Sequence, residues 1–145
     1  MGLKKKTINK KNIKKKNVKN NNVKNESGKK ELRQWFYFCP EKITVTEIRD
    51  ALMQSGCAME LWREAGVLEI NVGEKMNIDV EEREPSFGEP EDDMFLKKEG
   101  IQSVFDITIA SDSYEKCEPV FRMLTGALGG MVCADTPDFT PRIMK

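Results

Sequence analysis

The sequence has no histidine. A cysteine nucleophile would therefore lack the imidazole base that usually activates it. The four cysteines, Cys39, Cys57, Cys117 and Cys133, form no CxxC pair, so the ligand spacing of a structural zinc site is missing too. They read most simply as reduced thiols in a cytoplasmic protein. No stretch approaches the ~18 consecutive apolar residues of a membrane span. The positively charged start is followed by no apolar segment of the kind a signal peptide carries. Neither a GxxxxGKS/T nor a GxGxxG loop occurs, and the calcium-binding order of an EF-hand is absent. These absences leave no catalytic residue, no metal ligand and no cofactor to assign.

What is present begins with a division of charge. The chain of 145 residues is neutral overall, with 24 basic and 24 acidic side chains. Residues 1–30 carry twelve lysines against the single acid Glu26, a net charge of +11, and residues 31–145 carry twelve basic residues against 23 acids, a net charge of −11. Such asymmetry separates a tail from a body. The tail's apolar residues are too few to offset the entropy of ordering it, so residues 1–30 read as a disordered Lys/Asn-rich tail. Without arginine or aromatic residues, its lysines offer only weak, nonspecific binding to nucleic acid or acidic lipid. A solvated low-complexity segment, translated sequence upstream of the true start, or a segment that pairs with its own acidic body are the plainer readings.

Residues 31–145 suffice for one acidic α+β domain with its own core. Gln34 to Cys39 is dense in aromatic residues and stops at Pro40, as a strand would. Thr44 and Glu47 fit a capping box, with Ile43 and Ile48 as its hydrophobic staple, and predict a helix over 45–55. Residues 58–72 read as extended with a break at Ala65-Gly66. Leu68, Ile70 and Val72 alternate with Glu69 and Asn71, and Met76, Ile78 and Val80 alternate with Asn77, Asp79 and Glu81, which predicts a hairpin with one wet face. Residues 82–100 lose periodicity and read as a long loop. Val104 to Ile109 is a further strand. A helix capped by Asp112 or Ser113 follows, with Cys117, Val120, Phe121, Leu124, Ala127 and Leu128 on its apolar face. Gly129-Gly130 ends it, and Met131 to Ala134 begins a last strand limited by Pro137 and Pro141. The order predicts a ferredoxin-like, split β-α-β two-layer sandwich. It has one antiparallel sheet, two helices on one face and an extra hairpin.

The other sheet face would meet solvent or a partner. Trp35 and Tyr37 could stand on it, as the stacking aromatics of an RNA-binding sheet do. If Phe105 and Ile107 face the helices, however, Asp106 and Thr108 face outward, and an aspartate there repels phosphate, which speaks against nucleic-acid binding by the body. The acids between Glu81 and Glu99 are either a solvated loop or a surface complementary to a basic protein. Glu89, Glu91, Asp92 and Asp93 are the charged partner-binding candidates, with Phe87, Phe95, Trp35 and Tyr37 as apolar anchors. Asp135 and Asp138 are ordinary turn residues unless a second half of an active site joins them.

The expected function is a small, non-enzymatic binding protein for a basic protein partner, for example an immunity-type toxin inhibitor. The alternatives are a small carboxylate- or metal-dependent enzyme and a homo-oligomeric structural or regulatory module.

Overall fold

A computed structural model describes residues 32–145; the expectations for residues 1–30 lie outside the described residues. One seven-stranded antiparallel sheet and three α-helices make up the domain. The first strand, β1 (Leu32–Cys39), is central. It pairs with β5 (Ser103–Ala110) on one side and β6 (Met131–Ala134) on the other. Beyond β5 lie β4 (Met76–Arg83), β3 (Val67–Gly73) and β2 (Met59–Trp62), and beyond β6 lies β7 (Arg142–Met144).

The capping box forms as its residues predict. The Thr44 hydroxyl accepts from the Thr46 amide at 3.2 Å, and the Glu47 carboxylate accepts from the Thr44 amide at 2.8 Å. A second cap comes from the sheet, where Glu82 on β4 accepts from the Val45 amide at 2.9 Å. The helix α1 (Val45–Ala51) is shorter than the sequence suggests, because a 3₁₀ turn at Met53–Ser55 replaces its last turn before Gly56 closes it with φ at +79°.

The long loop expected over 82–100 needs correction. β4 runs through Arg83, and Pro90–Lys98 forms a helix, α2. Its signals are electrostatic. Pro90 opens the first turn, Glu91, Asp92 and Asp93 sit at the positive end of the helix dipole, and Lys97 and Lys98 at the negative end. Only Leu96 is fully buried, so no apolar stripe announces it. The third helix, α3 (Tyr114–Leu128), buries Cys117, Val120, Phe121 and Leu124 as expected, whereas Ala127 is exposed rather than part of the apolar face.

Strand alternation sends β1 side chains into two separate clusters. Trp35, Tyr37 and Cys39 join Val45 and Ile48 of α1, its C-cap residue Leu52 and the buried face of α3. Phe36 and Phe38 point the other way, to Leu96 of α2. Trp35 and Tyr37 thus occupy the helix-covered side, not the open one, at 2% and 0% exposure. Trp35 stacks on Tyr114 with ring centroids 5.4 Å apart, and the Tyr37 hydroxyl donates to the Gly129 carbonyl at 2.8 Å. The two-layer expectation of a sheet with two helices is corrected by α2, which packs into the second cluster.

The turn after α3 depends on glycine at one point. Gly130 has φ at +76°, and a Cβ there would overlap the Phe38 carbonyl oxygen. Gly130→Ala should therefore cost at least about 2 kcal/mol of unfolding free energy in urea titration. Thr44→Ala should cost roughly 1 kcal/mol through the lost cap, and Leu124→Ala about 2–5 kcal/mol through the cavity it leaves. A Gly130→Ala chain as stable as the parent would overturn the close approach to Phe38.

Candidate functional site

The face of the sheet opposite α1 and α3 divides into two halves. Over β1 and β6 it is filled. Phe36, Phe38, Met131 and Cys133 meet Leu96 and Phe139, with Phe87 and Phe95 half-buried against them. Phe139 centres this cover, 5.2 Å from the Phe38 ring and 5.1 Å from that of Phe95. It is held with φ at +56° in a loop closed by the Thr136 hydroxyl, which donates to the Thr140 carbonyl at 2.9 Å.

Over β2 to β5, beyond the buried Val104 that belongs to the filled cluster, the same face is mostly polar and stays open or half-open to water. Pairing register places its residues in rows. One row runs Glu60, Glu69, Asp79, Thr108, Gln34 across five strands. The next runs Trp62, Val67, Glu81, Asp106, Phe36. Three carboxylates thus stand side by side in the first row and two in the second. Like charges directly opposite one another destabilise a sheet. Asn77 gives partial relief, donating its amide to Glu69 at 2.9 Å. A shallow depression lies at the β4–β5 centre, lined by Gln34, Glu81, Arg83, Asp106 and Thr108 among others.

Arg83 marks the boundary between the halves. It pairs with Asp106 at 3.1 Å, and its guanidinium lies 4.5 Å from the Phe87 ring centroid. Its Nε is buried with no hydrogen-bond partner among the described residues. Burial pushes the Asp106 carboxyl up despite the opposing pull of Arg83. Burial also raises Asp135, reinforced by Asp106 and by Asp92 at the start of α2. Partial desolvation, with Glu69 and Glu81 beside it, pushes Asp79 up to about 6. Asp79 as a residue is still exposed, so water screens part of that repulsion.

The residues proposed from sequence are distributed unevenly around this surface. Glu89 is the N-cap position of α2, and Glu91, Asp92 and Asp93 make its first turn. Asp93 has local work, accepting from the Phe87 amide at 2.7 Å and the Ser86 hydroxyl at 3.0 Å, and these bonds lower its pKa. Phe87 and Phe95 are half-buried in the aromatic cover. Trp35 and Tyr37 lie in the opposite core, away from any surface. Asp138 accepts from the Thr140 hydroxyl at 2.7 Å, which helps hold its loop together and lowers its pKa. Among the described residues, no three His, Cys, Asp or Glu side chains are grouped to hold a metal ion.

Compared with protein-family models, curated proteins and solved structures, the chain finds no match in any of the three. The rows of acids are therefore the most informative feature. Their members Glu69, Asp79 and Glu81 were legible one by one as the wet side of alternating strands. Their juxtaposition with Glu60 and Asp106 was not, because it depends on cross-strand register. No helix among the described residues is long and apolar enough to cross a membrane.

The raised pKa of Asp79 sets a pH dependence. A carboxyl that holds its proton more tightly when folded weakens the fold as it ionises, so its penalty is absent below about pH 4 and complete above about pH 6. Asp79→Asn should therefore stabilise the chain at pH 7, by up to about 1 kcal/mol after solvent screening. The advantage should vanish near pH 4. Urea titrations of both chains at the two pH values check this, and an equal difference at both would show that Asp79 is not repelled.

Proposed function

We propose that this chain is a non-enzymatic binding protein whose open, acid-lined sheet half docks a basic surface of a protein partner. The observation that carries the reading is the pair of like-charge rows, Glu60–Glu69–Asp79 and Glu81–Asp106. The repulsion around Asp79 costs stability in the free chain, and a cationic partner would remove that cost on binding. Trp62, 48% exposed at the end of the second row, supplies the large apolar contact that such interfaces favour. The acidic surface continues past Arg83 and Asp135 to the first turn of α2. Glu89, Glu91, Asp92 and Asp93 then form a rim, with Phe87 beside them. An isologous dimer through this face would set acid against acid, which favours a different, basic protein over a second copy. A toxin-neutralising immunity-type inhibitor is the concrete form we favour.

We read the core beneath this face as ferredoxin-like. The neighbouring strands β4-β5-β1-β6, with α1 following β1 and α3 joining β5 to β6, suit a split β-α-β, ferredoxin-like core. The hairpin β2–β3 widens it on the acidic side.

The test begins with capture of partners from native lysate by the full chain and by a variant carrying Glu60→Gln, Glu69→Gln, Asp79→Asn and Glu81→Gln. A partner lost by the variant is then measured in stopped flow. Association should slow by about tenfold or more at low ionic strength, with the gap closing as salt rises. Neutralising Glu89, Glu91, Asp92 and Asp93 should slow it less, because these acids are at the rim. A partner acidic at its contact surface, or equal association rates at low salt, would refute the proposal.

A further inference from the structure

The strand β2 closes one end of the sheet, and among the described residues no strand lies beyond it. We propose that this edge receives an extended, basic segment of the partner as an added strand, with cationic and apolar residues alternating along it. This rests on the acid-lined half docking a basic partner, and adds how that partner is held.

The backbone fixes where an added strand would bond. The Asn71 amide donates to the Ala58 carbonyl at 2.8 Å, and the register continues from there through Met59–Ile70 to Trp62–Val67. Opposed residues of an antiparallel ladder alternate between bonded and unbonded pairs. Glu60 and Trp62 therefore direct their N–H and C=O groups to β3, whereas Met59 and Leu61 turn theirs outward. An unpaired edge is a template for another strand, and folded proteins usually guard it with shortness, lysine or proline. The far edge is guarded in this way. β7 has three residues, follows Pro141 and carries Arg142, with Lys145 next to it. Between Gly56 and Gly66 there is no lysine and no proline, and β2 keeps an unbroken register with β3.

Side chains along the edge set what the incoming strand must carry. Met59 and Leu61 point to the helix-covered side and are only half-buried against its core, because no strand flanks them on the outer side. Glu60 and Trp62 point to the acid-lined side and are exposed. A strand laid beside β2 places its residues alternately on these two sides. Its apolar residues would meet Met59 and Leu61 and extend the core layer. Its cations would meet the Trp62 ring and Glu60, which begins the row that continues to Glu69 and Asp79. Backbone bonds then supply affinity and the alternation supplies specificity, as where peptides complete other sheets. A second copy of β2 brings no cation to Glu60. In the two same-face registers of greatest overlap about a two-fold axis, Glu60 meets either itself or Trp62.

The test uses the full chain and synthetic heptapeptides at about 20 mM salt, followed in ¹⁵N spectra and by amide exchange. The first peptide alternates, Arg-Val-Lys-Ile-Arg-Val-Lys. The second has the same composition in an apolar and a basic block, the third is the first with every backbone amide N-methylated, and the fourth replaces its cations by Gln. The alternating peptide should slow exchange of the Met59 and Leu61 amides and shift the Trp62 indole. The other three should bind at least about tenfold more weakly. In the protein, Met59→Pro removes an outward donor at the first residue of an edge strand, where proline is tolerated, and should weaken the alternating peptide about tenfold. If the alternating, block and methylated peptides bind equally and leave Met59 and Leu61 unprotected, strand addition is wrong while the acidic docking face survives. If the Gln peptide binds as tightly as the alternating one, the edge accepts strands but its preference for a basic partner fails. If no peptide perturbs the Trp62 indole or the Glu60, Glu69 and Asp79 amides, strand addition fails and the docking face with it. Protection of Met59 and Leu61 that rises with protein concentration before any peptide is added would give the edge to a second copy and overturn the proposal.

Discussion

The arrangement depends on the alternation of one short strand. β1 lies between β5 and β6 and has no edge, and its side chains from Trp35 to Cys39 are all buried. Trp35, Tyr37 and Cys39 need one apolar layer, and Phe36 and Phe38 need another. The first demand is met by α1 and α3. The second is met by α2 and the loop that carries Phe139. A strand apolar on both faces requires cover on both, and this is why a helix with a single fully buried residue lies where it does.

Moving outward from β1, the second face changes character at Arg83. Towards β6 it is aromatic and closed, and towards β2 it is acidic and wet. Arg83 touches both regimes, with its guanidinium against Phe87 and its charge on Asp106. The strands beyond it send their buried apolar residues to the helix-covered side and leave only Trp62 and Val67 on the other, so that face has no packing reason to be charged in one sign. Neutral polar residues would solvate that face without setting carboxylates against each other. The electrostatic strain in these rows is what turns a solvated sheet face into a binding hypothesis.

Much of the fold was legible in the sequence, and the limits have physical causes. Thr44 and Glu47 announce α1 because a capping box is local and chemically specific. Leu68 to Val72 and Met76 to Val80 announce a hairpin because period-two alternation is strong on a half-buried strand. Leu124 and its neighbours announce α3 through their spacing. In contrast, α2 hides because its stabilising signals are Pro90 and the charges at its ends, set among glycines and prolines that look like loop. The facing of Trp35 and Tyr37 was unreadable because a strand apolar on both sides has no alternation, and a shift of one residue exchanges its faces. Of the candidate site, single acids were visible, but their rows were not, since register joins residues from β2 to β5 that are far apart in sequence.

The place of β1 in the chain has a consequence for biosynthesis. It leaves the ribosome first among the strands, yet Trp35 pairs with Ile107 and Ala134, which are made much later. Until then, a run of six residues from Gln34 to Cys39, four of them aromatic and none charged or proline, waits with both backbone edges free. That is the composition of an aggregation-prone segment, and slow, long-range pairing prolongs its exposure. The lysines immediately upstream, together with Arg33, place strong positive charge beside this run, as gatekeeper residues do in nascent chains. Those charges would then protect the strand on which the domain is built.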